Sequence, residues 1–190
     1  MTTNRQKSFI ATLELDHHDL DILGALYETS ILRADTSFSG GFYTGASSKF
    51  NDAHLLGRRP HGEVKNAPPM TIYFRCTDDY YHLYIRSHAT HTGHCISKDA
   101  AGVLGAFLPA GADTSSFSLL SLDNRTITLE DMGHDIQRVR LKARNGEQIS
   151  AVRRRGAPYS YLAGTNNDGI PFTLRIMERS ASFLSDPDEI

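Results

Sequence analysis

The chain has 190 residues, of which 39% are hydrophobic and 22% are charged, and its formal net charge is −2. These proportions are those of one globular domain with a core of normal size. The near-neutral charge lacks the strongly basic balance of proteins that bind phosphate backbones, so we expect no nucleic-acid partner. Two cysteines, Cys76 and Cys95, are too few for a disulfide scaffold, and we expect reduced thiols rather than a bridge.

Residues 1–8 are polar, and the chain nowhere contains the roughly 20 consecutive apolar residues that a membrane span needs. The sequence therefore predicts no membrane span and no classical secretory signal. We expect a protein that is cytoplasmic or is released without a signal peptide.

The first strand candidates lie within residues 12–20, where a threonine is followed six positions later by a histidine. The same spacing recurs within residues 128–136, so the two segments are predicted to be equivalent. Residues 20–26 fit either a helical turn or a continued strand, since their apolar positions match neither period alone. Residues 1–26 are therefore assigned to an N-terminal strand extension.

Three glycine-led segments follow, starting at Gly41, Gly93 and Gly146 and separated by 52 and 53 residues. An alternating apolar and polar run precedes each segment and predicts a first strand, and two short apolar runs follow it. The gaps are rich in Gly, Pro, Asn and Asp, which favour turns and leave no room for long helices. The strands predicted in the first unit are 30–34, 41–46, 53–57 and 70–72. Those of the second unit are 82–87, 93–98, 102–105 and 117–119. Those of the third unit are 138–143, 146–151, 159–163 and 172–174.

Three units of about fifty residues with four short strands each resemble the β-trefoil, in which three hairpins cap a six-stranded barrel. The resemblance implies an all-β fold with three pseudo-symmetric lobes at about 27–79, 80–125 and 126–180, in a single domain over residues 1–190. Residues 139–151 are most similar to the strand-turn-strand of the fascin-like group. The ricin-B-type lectins carry a Gln-x-Trp signature, and this chain has no Trp. A β-sandwich is the alternative all-β fold, but it does not require threefold recurrence.

Two His-Asp pairs, His18-Asp19 and His134-Asp135, combine an imidazole with a carboxylate, as general acid–base catalysis requires. An enzyme normally needs one such site, whereas a repeat protein reproduces its capping and turn residues in each repeat. Because the pair occurs twice, we expect a structural role. The chain also lacks the motifs of nucleophile elbows, phosphate-binding loops and zinc-binding helices. The sequence therefore predicts a protein that is not an enzyme and needs no cofactor.

A cluster of three histidines, His88, His91 and His94, invites a metal-site interpretation. Spacing of three residues lines one face of a helix, but the surrounding alternation and a nearby glycine predict a strand-turn-strand, in which this spacing alternates faces. The preferred interpretation is an exposed hairpin. A shared metal ion is the alternative, and it would draw on a second loop through Asp35 or Asp79.

Three consecutive arginines, Arg153, Arg154 and Arg155, follow the third glycine-led strand. Guanidinium groups bind carboxylate, sulfate and phosphate through paired hydrogen bonds, so this loop could hold an acidic polysaccharide or protein surface. Tyr159 and Tyr161 lie close by, and flat aromatic faces pack on sugar rings or stack with arginine. A solvated turn is the plainer alternative, because surface arginines are common.

The apolar residues that recur in the three units are assigned to the core. These residues are Ile31, Ile72, Ile85, Ile96, Ile149, Leu56, Leu104, Leu119, Leu141, Leu162 and Leu174. Function is then expected in the loops, above all in the turns between first and second strands, where the units differ most.

Trefoil-like folds often present shallow loop sites, and the resemblance therefore implies a carbohydrate-binding, lectin-like protein. The alternative is a protein-interaction module of the actin-binding fascin type or of the protease-inhibitor type. The expected partner is a carbohydrate, or an acidic protein or polysaccharide surface. The candidate ligand-binding residues are Asp35, Phe38, His88, His91, Asn145, Arg153, Arg154, Arg155 and Tyr159.

Overall fold

The computed structural model describes residues 2–27, 31–35, 48–58, 68–88, 90–110, 114–144, 146–155 and 157–182. The fold is all-β, with 53% of the described residues in strands and 8% in helices, and most of the strands join in one large antiparallel sheet. The expected fold class is thus confirmed at this level.

The strands are short and are joined mainly by turns. They are β1 (Phe9–Leu15), β2 (His18–Ile22), β3 (Leu32–Asp35), β4 (Ser48–Asn51), β5 (Leu56–Arg58), β6 (Thr71–Thr77), β7 (Tyr80–Ser87), β8 (Cys95–Lys98), β9 (Leu104–Phe107), β10 (Phe117–Leu120), β11 (Thr126–Ile127), β12 (Ile136–Ala143), β13 (Gln148–Arg153), β14 (Ser160–Thr165) and β15 (Phe172–Arg179). The helical segments are α1 (Asn4–Lys7), α2 (Leu23–Tyr27) and a 3-10 turn over Leu129–Asp131.

Six of these strands pair with one another in a circuit. β1 lies between β15 and β6, and β6 pairs with β7. β7 meets β10, β10 pairs with β12, and β12 pairs with β15, so the pairings return to β1. Alternation in the sequence sets the two faces: in β7 Tyr81, Leu83 and Ile85 are buried, while Tyr80 and His82 face outward.

Three hairpins extend from this circuit: β2 with β5, β8 with β9, and β13 with β14. They meet one another, since Gly57 pairs with Tyr161, and isolated bridges join Leu55 to Gly105 and Val103 to Ala163. The approach is close at Gly57, where a Cβ would collide with the Leu23 side chain.

The apolar side chains form two cores. The larger core fills the inside of the six-strand circuit, and all eleven residues assigned to the core from the sequence are buried, as predicted. The second core lies under the hairpins and includes Leu23, Leu26, Ile31 and Tyr161. Its first three residues belong to the long connection between β2 and β5, whereas the other two hairpins close through short turns. This connection therefore adds a packing layer from the first hairpin, which residues of the other two hairpins, such as Val103 and Ala163, join.

The first unit differs from its predicted form. The strand predicted at 30–34 exists as β3, but β3 pairs only with β4, in a separate two-stranded sheet. The strand that joins the circuit is β1, where Leu13 and Leu15 are each 3% exposed, whereas Leu32 in β3 is 53% exposed. The prediction that 30–34 opens this unit was therefore wrong. The predicted strand 41–46, with Gly41, lies outside the described residues.

The turns explain why the first unit was misplaced. Gly93 and Gly146 precede β8 and β13 with φ of +84° and +112°, so both need the left-handed conformation that glycine tolerates. Between β1 and β2 the same reversal is made by Asp16 and His17, with φ of 50° and 64°. A turn without glycine gave no signal in the sequence.

The two His-Asp pairs are not equivalent. His18 lies in β2, opposite Leu15 of β1. His134 and Asp135 instead precede β12 in a loop, where the Asp135 carboxylate pairs with Arg179 at 2.9 Å. The predicted equivalence of residues 12–20 and 128–136 is therefore wrong.

Among the described residues, no helix has the length and apolar character needed to cross a bilayer.

Candidate functional site

Three of the nine predicted site residues lack a described side chain. Asp35 lies in β3 opposite Ser48, but only its backbone is described. Phe38 and Asn145 lie outside the described residues. The remaining six fall into two groups, one around the histidines and one around the arginines.

The three histidines form a compact cluster. The ring centroids of His88 and His91 are 5.0 Å apart, and those of His91 and His94 are 5.1 Å apart. Nδ1 of His91 lies 3.3 Å from Nδ1 of His88. The expectation that the spacing would put these side chains on alternate faces is wrong, because Thr90–Gly93 form a turn that brings the rings together instead of an extended strand.

Asp21 of β2 meets this cluster from the first hairpin. Its Oδ1 lies 3.3 Å from Nε2 of His88, and the two side chains are only 10% and 8% exposed. The backbone N–H of Thr90 donates to Nδ1 of His88, which leaves the proton of the neutral ring on Nε2, facing the carboxylate. Nε2 of His88 and the Asp21 carboxylate are not aligned for a hydrogen bond, and Nε2 has no hydrogen-bond partner among the described residues. His88 is thus buried rather than on an exposed hairpin.

The cluster resists protonation at its centre. Burial lowers the pKa of His91, and the neighbouring His88, His94 and His54 lower it further because each would repel a second positive charge. Thr90 adds a hydroxyl 2.8 Å from Nδ1 of His91. The neutral form of the His91 imidazole is therefore favoured in the folded chain.

In the described part of the chain, no three His, Cys, Asp or Glu side chains are arranged to hold a metal ion. The carboxylate beside the histidines is that of Asp21, which the sequence did not suggest. Of the two acids proposed from the sequence, Asp35 has no described side chain, and Asp79 lies in the turn between β6 and β7.

The arginine group is built around a buried carboxylate. Tyr161 of β14 donates its hydroxyl proton to Oδ2 of Asp52 at 2.8 Å, and Asp52 is 4% exposed. Nη1 of Arg154 lies 3.8 Å from the same oxygen. The Arg154 guanidinium also lies over the Tyr161 ring, 5.6 Å from its centroid. Arg154 is therefore held from two sides while 20% of its side chain stays exposed.

Tyrosine rings continue this group toward solvent. Tyr159 is half-buried, and its ring meets Tyr27 of α2 edge to face at 4.5 Å. A longer contact of 6.4 Å links Tyr159 to Tyr161. Arg153 and Arg155 are exposed, and so this predicted arginine run contains one positioned side chain between two solvated ones.

A single segment connects the two groups. Asp52 faces Tyr161, while two residues later the ring of His54 packs edge to face on Phe107 at 5.3 Å and its charge acts on His91. Asp21, Asp52 and His54 were missed from the sequence. Of the three, only Asp21 could have been found from the sequence, because it is a carboxylate that lies between the apolar residues Leu20 and Ile22.

Both cysteines are free and buried, in β6 and β8. Burial raises the pKa of Cys76 to about 11 and also raises that of Cys95. Neither thiol is thus set up as a nucleophile at neutral pH.

Comparisons with family models, with curated proteins and with solved structures gave no match for this chain.

Proposed function

We propose that the chain is a β-trefoil that serves as a non-enzymatic, lectin-like carbohydrate-binding module. The frame is supported by the six strands that pair in a circuit and by the three hairpins that meet one another. Under this proposal the lobes span about 9–77, 80–120 and 136–179. The first lobe then starts at β1, and the connection between β2 and β5 is an insertion in it that contributes Leu23, Leu26 and Ile31 to the second core.

The observation that carries the sugar site is the fixed Arg154 beside the half-buried Tyr159. The Asp52 carboxylate and the Tyr161 face hold the guanidinium, so its free N–H groups have a set direction and lose little freedom on binding. Tyr159 supplies an aromatic face of the kind that packs on a sugar ring.

The nearby carboxylate also bears on which sugar would bind. Asp52 offsets part of the charge of Arg154, which leaves hydrogen bonding as the main contribution of this side chain. Hydroxyl-rich, neutral sugars fit that chemistry better than strongly anionic ones. Arg153 and Arg155 remain exposed at the rim and add a weaker, salt-sensitive attraction.

A glycan array followed by titration of the best ligand tests this proposal. Tyr159→Ala and Arg154→Gln should each weaken binding about tenfold or more, as expected when a positioned contact is removed. Arg179→Gln, an exposed arginine paired with Asp135, is the matched control and should leave affinity unchanged. Absence of any glycan ligand, or equal losses in all three variants, would reject the site.

A protein-interaction module is the second candidate, and the β3–β4 ribbon favours it. Leu32 and Phe50 are 53% and 44% exposed there, on two paired strands of one short ribbon. Co-sedimentation with F-actin and inhibition assays against a protease panel test the fascin-like and inhibitor versions. If Leu32→Ser with Phe50→Ser abolishes an interaction that Tyr159→Ala leaves intact, the ribbon is the binding element.

The non-enzymatic part of the proposal rests on the lack of a nucleophile-elbow, phosphate-loop or zinc-helix motif in the sequence. Among the described residues, the His88–Asp21 pair and the Thr90 hydroxyl, 2.8 Å from Nδ1 of His91, come nearest to acid–base chemistry. Hydrolase or transferase turnover that disappears in His88→Gln would overturn this part.

A further inference from the structure

A second polar surface lies on the outside of the six-strand circuit, where β6, β7, β10 and β12 are neighbours. The register places outward residues of these strands in rows: Arg75 stands opposite His82, and Ser118 stands opposite Lys142. Arg144 follows the end of β12 and reaches across to β7. We call Arg75, Tyr80, His82, Lys142 and Arg144 the Arg144 surface.

Arg144 connects two strands that are distant in sequence. Its guanidinium carbon lies 4.1 Å from the centroid of the Tyr80 ring, a close cation–π contact. Its backbone N–H donates to the Ser116 carbonyl at 3.0 Å, which fixes the base of the side chain beside β10. The Tyr80 ring in turn meets His82 edge to face at 5.7 Å. The cation is therefore positioned and not free to swing.

Arg144 and Lys142 bring positive charge to this surface. Burial lowers the pKa of His82, and Arg75 and Arg144 lower it further, so both guanidinium charges act on one imidazole. Neither Arg144 nor Lys142 forms an ion pair within the described part of the chain. The nearest acid to them along the chain, Glu147, pairs with Lys98 at 2.8 Å. Asp78 and Asp79 lie in the turn before Tyr80, where their charges act on the buried Cys76 thiol.

We propose that the Arg144 surface binds an acidic polysaccharide, one that carries sulfate or carboxylate groups. Arginine forks match both groups in geometry, and Lys142 and Arg144, two residues apart along the chain, offer neighbouring cations that suit a polymer with repeating charge. Single-stranded nucleic acid fits less well, since it needs open aromatic faces for its bases. Here Arg144 already covers a face of Tyr80.

This surface is independent of the proposed sugar site. It uses the outside of the circuit, whereas Arg154 and Tyr159 lie in the connection between β13 and β14. Tyr159→Ala should therefore leave polysaccharide binding by the Arg144 surface unchanged. The failure of one proposal does not decide the other.

The test is titration of the full chain with a sulfated polysaccharide over a salt series of about 50 to 300 mM. Arg144→Gln should weaken binding severalfold, and Arg75→Gln with Arg144→Gln should weaken it by about tenfold and lower the salt slope by about two. Arg138→Gln is the matched control, because Arg138 is an exposed arginine on the same strand about 20 Å away. It should change affinity less than about twofold.

Variants of Tyr80 test whether binding needs Arg144 in a fixed position or only its positive charge. Tyr80→Phe keeps the ring beneath Arg144 and should retain affinity, whereas Tyr80→Leu should lose severalfold. Circular dichroism and thermal melting show whether each variant is folded, and Arg144→Gln alters only an exposed side chain. No binding by the natural chain, an equal loss in Arg138→Gln, or tighter binding of a single-stranded oligonucleotide of equal charge would overturn the proposal.

Discussion

Tyr161 and Asp52 are 109 positions apart in sequence, yet the tyrosine hydroxyl donates to the carboxylate at 2.8 Å in a buried setting. The bond ties the third hairpin to the long connection of the first. It also fixes the carboxylate against which Arg154 rests. One hydrogen bond thus links the second core to the proposed sugar site.

Tyr161→Phe should destabilise the fold by about 1.5–3 kcal/mol, the usual cost of losing a hydrogen bond to a charged group. The ring packing is retained, so the loss reports the hydroxyl alone. Urea unfolding of the variant measures it. Tyr159→Phe, at a half-buried tyrosine two residues away, should change stability by less than about 0.5 kcal/mol. Equal effects in the two variants would contradict the assigned role.

Leu141→Ala should cost about 2–5 kcal/mol, because Leu141 is 2% exposed and its removal leaves a cavity inside the strand circuit. Ile136 lies on the same strand but is 56% exposed, which makes Ile136→Ala the natural control. That variant should lose less than about 0.5 kcal/mol in the same unfolding experiment. A small loss at Leu141 would show that the core is loosely packed there.

Stability should fall with acidification below about pH 6.5, the ordinary pKa of histidine. The pKa of His91 is lowered in the folded chain, so the unfolded chain takes up the proton first. This stabilising contribution is present above pH 6.5 and is lost as the pH falls toward the folded value. In His91→Gln, the free energy of unfolding measured by urea titration should drop less between pH 7.5 and 5.5 than it does in the natural chain. An unchanged slope would place the titration on other groups, such as His82.

Both thiols should be protected from modification in the folded chain. At pH 8 a disulfide reagent should label Cys76 and Cys95 slowly, at a rate limited by opening, and rapidly once the chain is unfolded in urea. Above about pH 9 the raised pKa of Cys76 should cost stability, since the unfolded chain then loses its proton more readily. Rapid labelling of the native chain would show that β6 or β8 opens easily.

The sequence carried enough information to predict β7 and β12 and the turns that follow them. In β7 and β12 the alternation of Leu83, Ile85 and Leu141 with polar neighbours gave the strands and their buried faces. Positive-φ glycines marked the turns before β8 and β13. Hydrophobic period and turn chemistry are local properties, which is why they could be recognised without a structure.

The first unit and most of the site depend on contacts that no local pattern encodes. β3 and β1 both alternate, and only pairing with β15 distinguishes the strand that joins the circuit. Asp21 meets His88 across 67 positions, and Asp52 meets Tyr161 across a longer interval. The spacing of the histidines predicted opposite faces because it assumed a strand where the chain makes a turn.

The pairing of β1 with β15 affects how the chain can fold during synthesis. The Glu14 and Arg175 side chains of these strands form an ion pair over 161 positions, so β1 is synthesised long before the strand that pairs with it. Until then β1 has β2 and β6 as partners, but one of its edges stays open along residues 9–14. Pairing with β15 covers this edge. A chain that stalls before β15 is made therefore exposes an apolar edge that a chaperone could recognise.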